Sequence, residues 1–245
     1  MNTAVACWRV GRVLAHVLSG MAQILLVFPR LPQPRRDQRV QAWARDMLRR
    51  LGVELQFTGA APISGPMLLV VNHISWLDIL VLHAARHCRF VSKSDVKQWP
   101  LIGTLATASG TLYIERASRR DVMRVVHRMA QALKDGDILA VFPEGTTGDG
   151  KTLLPFHANL IQAAISAHAP VQPVLLQFVD GRTGAPSRAM SYIGDESLLG
   201  SLWRTLCARQ LRAVVAYGVP QYAQDRDRRT WARDLHAAIS AMQPR

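Results

Sequence analysis

Residues 67–85 read MLLVVNHISWLDILVLHAA, in which two apolar runs are separated by a short polar junction. The first run, Met67–Val71, has no polar residue, which is typical of a strand buried on both faces of a parallel sheet. The second run, Trp76–Ala85, is long enough to form a helix. Strand and helix patterns continue to alternate from Val53 onward. The sequence therefore predicts an α/β fold whose mixed, largely parallel sheet is flanked by helices.

The alternating pattern can be divided into individual elements. Strands are predicted at 53–57, 67–72, 88–92, 111–115, 137–142, 171–178, 190–193 and 212–217. Helices are predicted at 75–86, 101–109, 119–135, 157–168, 197–208 and 229–242. Two earlier helical segments, 13–28 and 36–51, are separated by a linker that contains two prolines. Functional sites in sheets of this kind gather at the carboxyl ends of the strands, so the junctions after the strands are where chemistry is expected.

His73 and Asp78 lie five residues apart at the first of these junctions. Five residues of continuous helix turn about 500°, which would leave the two side chains roughly 140° apart. They can meet only if His73 lies in the strand-to-helix turn and folds back over the first turn of the helix. An imidazole held in this way by a carboxylate is suited to act as a general base on a hydroxyl. A structural alternative is that Ser75 and Asp78 form a capping box, which explains the aspartate without catalysis.

The chain has a net charge of +13 and a pI near 10.9, with 26 arginines and four lysines. Such a charge attracts nucleic acid or an anionic membrane surface. Residues 13–28 carry no formal charge and lie between arginines, but as a helix they would span only about 24 Å, less than the roughly 30 Å hydrocarbon core. We interpret them as a helix in or on one leaflet, with a single membrane span, a signal peptide and a core helix as alternatives. The expected division is 1–51, a membrane-associated helical pair, and 52–245, the α/β domain.

Further candidate residues lie at the ends or at the start of other predicted strands. Lys93 follows the third strand, and the segment Gly110–Arg116 ends with a guanidinium suited to a phosphate or carboxylate. The stretch 142–150, which reads FPEGTTGDG, brings Glu144 and three glycines directly after a strand, where free backbone amides can line an anionic or acyl-ester site. Val171–Val174 is a proline-containing strand start. Taken singly, these segments are also explained as solvated charges, a glycine-rich turn and an edge strand.

In combination, the four segments resemble the glycerolipid (lysophospholipid) acyltransferase family over roughly residues 53–217. The pattern Asn72-His73-x-x-x-x-Asp78 is similar to the first family motif, and Gly110–Arg116, Phe142–Thr146 and Val171–Val174 are similar to the second, third and fourth. The order and spacing of the four motifs carry the resemblance.

The resemblance implies transfer of a fatty acyl group from a thioester, on acyl carrier protein or coenzyme A, to the hydroxyl of a lysolipid. It implies that His73 is the general base and Asp78 orients it, without a cofactor or a metal ion. The residues that it implies for substrate binding are Lys93, Gly110, Arg116, Glu144, Gly145 and Thr146. Membrane lipids and the thioester carrier are the expected partners, nucleic acid is not, and the expected location is the cytoplasmic face of a bacterial inner membrane.

The resemblance leaves two acceptors open. With Arg116 and Lys93 available for a phosphate, it favours 1-acyl-sn-glycerol-3-phosphate, which would give phosphatidic acid. However, Thr147 stands where the family commonly has an arginine. The variant TTGDG followed by LLPF is similar to members that acylate amino-acid-based lysolipids, so lyso-ornithine lipid is the alternative.

Two hypotheses from other classes compete with the acyltransferase. The charge of +13 is compatible with a nucleic-acid-binding protein, although no helix-turn-helix spacing or aromatic-rich basic strand is found. A metal-dependent hydrolase would use His73, His83 and His87, because the last two are four residues apart on one predicted helix. The three cysteines are scattered and predict neither a metal cluster nor a disulfide framework, which fits a reducing compartment.

Overall fold

The computed structural model describes residues 3–114 and 119–244, which alternate between helices and strands along the chain. The helices are α1 (Thr3–Leu26), α2 (Gln33–Leu51), α3 (Leu77–Ala85), α4 (Ile102–Ala108), α5 (Arg119–Lys134), α6 (Gln162–Ala167), α7 (Leu198–Cys207) and α8 (Arg228–Ala241). The strands are β1 (Val53–Thr58), β2 (Met67–Val71), β3 (Arg89–Lys93), β4 (Leu112–Ile114), β5 (Ile138–Val141), β6 (Val171–Asp180) and β7 (Leu211–Tyr217). Short 3₁₀ turns occupy Phe28–Arg30, Ser94–Gln98, Ala158–Ile161 and Arg188–Met190.

The seven strands form one sheet in the order β1-β7-β6-β2-β5-β3-β4. Neighbouring strands from β6 to β4 run parallel, whereas β7 runs antiparallel to β6 and pairs in parallel with β1. The prediction of a mixed, largely parallel sheet is confirmed. The reason is visible in β2, whose five residues are all buried because helices cover both faces of the sheet.

The two faces of the sheet support two separate cores. Leu69 and Val71 of β2 point into a core that includes residues of α1, α2, α3 and α7. Leu68 and Val70 point into the other core, which is built with α5, α6 and α8. Helices α1 and α2 therefore pack onto the α/β domain. Helix α1 contributes Ala6 and Val13 to the first core, and α2 contributes Ala44, Met47, Leu48 and Leu51.

Helix α1 is longer than the sequence predicted. It starts at Thr3 and has 24 residues, or about 36 Å, so the predicted start at residue 13 was wrong. Arg9 lies inside the helix, and its guanidinium donates hydrogen bonds to the carbonyl oxygens of Leu206 (2.9 Å) and Ala208 (2.6 Å). The helix is long and apolar enough to cross a membrane by length and composition.

The predicted strand at 190–193 was also wrong. Its first residue ends the 3₁₀ turn Arg188–Met190, and the following residues are irregular. Their polar backbone groups are bound elsewhere: the amide of Tyr192 donates to the carbonyl of Ile74 (3.1 Å), and Arg204 binds the carbonyl of Ser191. With these groups engaged by a turn and a side chain, the segment does not join the sheet.

Candidate active site

The turn that follows β2 is pinned to the neighbouring strand by a buried amide. The side chain of Asn72 donates to the carbonyl oxygen of Leu176 (3.0 Å) and accepts from the backbone amide of the same residue (2.6 Å). Leu176 belongs to β6, so the two bonds continue the pairing of β2 with β6 for one residue beyond the strand. The chain is thereby held at a defined position before His73 leaves the sheet.

His73 and Asp78 meet as the spacing predicted. Nδ1 of His73 lies 2.7 Å from Oδ2 of Asp78, which is fully buried in the first turn of α3. A carboxylate can only accept here, so the proton lies on Nδ1 and Nε2 is the basic nitrogen. The imidazole side chain is 20% exposed, which leaves it within reach of a substrate.

The same carboxylate also closes the turn. Oδ2 of Asp78 accepts from the backbone amides of Ile74 (2.7 Å) and Ser75 (3.0 Å), and Oγ of Ser75 accepts from the amide of Leu77 (3.2 Å). The last two bonds form a capping box, except that Oγ of Ser75 accepts from the amide of Leu77 instead of the amide of Asp78. The structural and the chemical interpretations of Asp78 therefore both hold, since one oxygen atom serves the backbone and the imidazole.

Two residues that follow strand β5, Phe142 and Glu144, contact His73. The ring of Phe142, directly after the strand, stacks on His73 at 4.1 Å between centroids and 15° between planes. Glu144 is only 5% exposed and binds two backbone amides: Oε1 accepts from His73 (2.8 Å) and Oε2 from Leu154 (2.9 Å). Burial raises the pKa of Glu144, and the two hydrogen bonds oppose that rise. Both oxygens of this predicted substrate-binding residue are thus engaged inside the protein.

The glycine-rich loop lies against the His73 turn. The amide of Gly148 donates to the carbonyl of His73 (2.7 Å), and a side chain at Gly150 would come within 3.0 Å of Ile74. Between them, Asp149 is exposed and accepts from two backbone amides, which lowers its pKa and keeps it anionic. Gly145 and Thr146, both predicted to bind substrate, are exposed on the same loop.

The remaining predicted substrate-binding residues do not lie together in the structure. Lys93 is exposed at the carboxyl end of β3, on the same edge of the sheet as His73. Gly110 lies at the amino ends of the strands, because its turn (φ +82°) precedes β4 instead of following a strand. The carbonyl of Gly110 accepts from Nε of Arg89. The structure thus places Gly110 away from His73, and substrate binding by Gly110 stays a prediction. Arg116 lies outside the described residues.

The hypothetical metal site of His73, His83 and His87 is not formed. The rings of Phe142 and Phe90 lie stacked between His73 and His83, and His83 stacks on His87 with 5.1 Å between centroids. Within 3–114 and 119–244, no group of three or more histidine, cysteine or acidic side chains is arranged to hold a metal ion. The sequence does not predict this row of rings, because its members come from the turn after β2, the turn after β5, strand β3 and the end of α3.

The sequence is similar to enzymes of known activity. The family model described as Acyltransferase matches residues 47–177. The chain is 37% identical over 224 residues to a lyso-ornithine lipid O-acyltransferase of Pseudomonas aeruginosa, covering 90% of this chain and 85% of the relative. It is 34% identical over 209 residues to a 1-acyl-sn-glycerol-3-phosphate acyltransferase of Neisseria gonorrhoeae, covering 84% and 81%.

The fold is similar to that of a crystal structure, the 1-acyl-sn-glycerophosphate acyltransferase of Thermotoga maritima. The TM-score is 0.69 and the match covers 100% of this chain and 97% of the other. The sequence identity is 16%, so this likeness concerns the fold. It agrees with the mixed α/β architecture and the N-terminal apolar helix described above.

Proposed function

Because this chain belongs to the Acyltransferase family, we propose that it transfers a fatty acyl group from a thioester to the free hydroxyl of a lysolipid. The observation that carries the proposal is the 2.7 Å contact between His73 and Asp78 at the carboxyl end of β2. Family membership also favours this enzyme over the nucleic-acid-binding interpretation of the charge.

The geometry supports a direct transfer. Asp78 holds the proton on Nδ1, so Nε2 of His73 takes the proton of the acceptor hydroxyl as its oxygen attacks the thioester carbonyl. A carbon–oxygen bond forms, the carbon–sulfur bond breaks, and the imidazolium returns the proton to the leaving thiolate. No acyl-enzyme is required, since the thioester is already activated, and the sequence contains no Gly-x-Ser-x-Gly nucleophile elbow. Acyl carrier protein and coenzyme A are the two candidate thioester carriers.

Helix α1 supports membrane association of the enzyme. Its outward face exposes large apolar side chains along its whole length: Trp8, Leu14, Leu18, Leu25 and Leu26. A water-exposed helix rarely carries such a continuous apolar face, and arginines at Arg30 and Arg39 are suited to anionic headgroups. We propose that α1 lies in one leaflet at the cytoplasmic face of the membrane.

Lyso-ornithine lipid is the acceptor that the loop favours. Thr147 is uncharged, and the anionic Asp149 directly follows the residue that binds the carbonyl of His73. A carboxylate there repels a phosphate and attracts the ammonium group of an amino-acid headgroup. The Pseudomonas aeruginosa relative supports the same acceptor. The second candidate, 1-acyl-sn-glycerol-3-phosphate, is favoured by the exposed Lys93 and by the Neisseria gonorrhoeae relative.

The first test replaces the proposed base. Acyl transfer by the full chain in detergent–lipid micelles should fall by at least about a thousandfold in His73→Ala, because the proton acceptor is lost. The matched control is His127→Ala, which removes an exposed histidine from α5 and should retain activity. Full activity in His73→Ala would refute the mechanism.

The acceptor is tested in the same assay by competition. Lyso-ornithine lipid and 1-acyl-sn-glycerol-3-phosphate are offered together with a thioester donor, and the products are measured by mass spectrometry. We expect diacylated ornithine lipid to dominate. A dominant phosphatidic acid product would reverse the acceptor assignment without affecting the role of His73.

A further inference from the structure

The connection between β3 and α4 exposes an unusual apolar tip. After the 3₁₀ turn Ser94–Gln98, the sequence Trp99-Pro100-Leu101-Ile102 is exposed throughout, with Trp99 at 46%, Leu101 at 46% and Ile102 at 37%. Large apolar side chains that cluster on a surface mark a place where the protein contacts something other than water. We call these four residues the apolar tip.

The backbone of the apolar tip is strained. Leu101 has φ +64° and ψ −51°, and the amide of Ile102 donates to the carbonyl of Pro100 (2.7 Å). This is the γ-turn with positive φ, a rare and strained conformation that glycine adopts at lower cost. Leucine is less favourable than glycine in this turn, and its exposed side chain is not part of the hydrophobic core. Strain of this kind concentrates at functional positions.

The apolar tip is nevertheless held in one conformation. The amide of Gly103 donates to the carbonyl of Trp99 (2.9 Å), and the amide of Trp99 donates to that of Val96 (3.2 Å). A side chain at Gly103 would come within 2.1 Å of the carbonyl oxygen of Lys97, so the chain closes tightly beneath the tip. The fold therefore presents the apolar side chains at a fixed place.

The apolar tip lies near helix α1. It follows the carboxyl end of β3, the edge at which His73 leaves β2, and the helix that it begins, α4, packs against α1. Two exposed lysines, Lys93 and Lys97, stand directly before it. The combination of aromatic, aliphatic and cationic side chains matches the interface of an anionic phospholipid bilayer.

We propose that the apolar tip inserts into the same leaflet as α1 and is a second membrane anchor of the enzyme. The inference rests on the proposed membrane association. One helix fixes the protein to a surface but leaves it free to rotate about the helix axis. A second contact at the carboxyl ends of the strands, where His73 lies, prevents that rotation and keeps His73 facing lysolipid in the bilayer.

The test measures partition of the full chain onto vesicles of phosphatidylglycerol and phosphatidylethanolamine by flotation. Trp99→Ser and Leu101→Gly should each weaken partition by roughly fivefold, since each removes a half-exposed large apolar side chain from the lipid contact. Trp99→Phe should restore most of the binding. The matched control is Ile63→Ser: Ile63 is 92% exposed but precedes β2, on the opposite edge of the sheet, so its loss should leave partition unchanged.

Leu101→Gly separates a membrane role from a folding role. Because glycine relieves the positive φ, the unfolding temperature should change by less than about 2 °C while partition falls. Wild-type partition in both Trp99→Ser and Leu101→Gly would overturn the inference and leave the proposed function intact. A dimer in detergent that Leu101→Gly dissociates, with partition unchanged, would instead assign the tip to a second copy of the chain. Wild-type protein that fails to float would refute the membrane association and the second anchor with it.

Discussion

At the scale of single residues, Asp78 combines two tasks that are usually separate. One buried oxygen accepts from two backbone amides and from the imidazole of His73, so the turn and the orientation of the base depend on the same atom. Its other oxygen, Oδ1, is buried without a hydrogen-bond partner among the residues described. The spacing of five residues places the aspartate in the first turn of α3, from which it reaches the turn that carries His73.

Glu144 is the residue whose observed contacts differ most from the expected ones. It was predicted to bind substrate, but its oxygens accept from the amides of His73 and Leu154 and it is almost fully buried. We predict that Glu144→Gln lowers kcat by about ten- to a hundredfold with little change in the KM of the acceptor. The glutamine amide would turn a donor toward one of the two backbone donors and displace the His73 turn.

The separate values of kcat and KM distinguish positioning from binding. Steady-state kinetics with the acceptor varied would show a raised KM and a small change in kcat if Glu144 bound the headgroup, contrary to this prediction. Glu54→Gln, an exposed glutamate paired with Arg212 far from the turn, is the control and should behave as wild type.

At the scale of elements, the α1–α2 hairpin is held by one histidine and one tryptophan. The rings of His16 and Trp43 stack at 4.9 Å, and each side-chain nitrogen bonds the backbone carbonyl of the other residue. The two helices approach closely at Gly20, where a Cβ would lie 2.6 Å from Nε1 of Trp43. The packing of α1 therefore depends on specific contacts and not only on its apolar character.

A pair of glycine substitutions on α1 tests this packing. Gly20→Ala should destabilise the hairpin by about 1 kcal/mol or more, because the new methyl group displaces Trp43. Gly11→Ala on the same helix meets no atom within 4 Å and should stabilise it by about 0.5–1 kcal/mol through helix propensity. Thermal unfolding in detergent and hydrogen exchange of α1 measure both effects. Equal changes in the two variants would contradict the contact at Gly20.

At the scale of the whole molecule, a buried histidine couples stability to pH. Burial, and next the neighbouring His87, lower the pKa of His83 to about 3. Between pH 6.5 and that value the unfolded chain binds a proton at this residue and the folded chain does not, so the free energy of unfolding decreases as the pH falls. From pH 7 to pH 5 the loss should be about 2 kcal/mol.

Replacing this residue should remove that part of the pH dependence. In His83→Phe, which keeps an aromatic ring between His87 and Phe90, the free energy of unfolding should fall by about 2 kcal/mol less than in wild type over the same interval. Denaturant unfolding in detergent at both pH values gives the comparison. His127→Phe, at an exposed position, should retain the wild-type slope, and an unchanged slope in His83→Phe would contradict the assignment.

Local patterns were sufficient for most of the architecture. The buried run Met67–Val71 and its helix, the parallel alternation and the His73–Asp78 pair are properties of neighbouring residues, because periodicity and spacing follow from the backbone geometry of each element. Local patterns fail where a segment bonds to residues that are distant in the sequence. Residues 190–193 have strand-like side chains, but α7 and the His73 turn bind their backbone. Arg9 of α1 binds two carbonyls near residue 207, a contact that the local pattern does not reveal.

Contacts between segments that are distant in the sequence determined the features that local patterns did not predict. The bond between Glu144 and the amide of His73 and the contact of Gly110 with Arg89 join residues whose separation in sequence carries no signal. The same holds for the apolar tip, since its nearness to α1 arises only when α4 packs against that helix. The chain alone thus specified which chemistry was present, while folding specified which groups face the substrate and which support those that do.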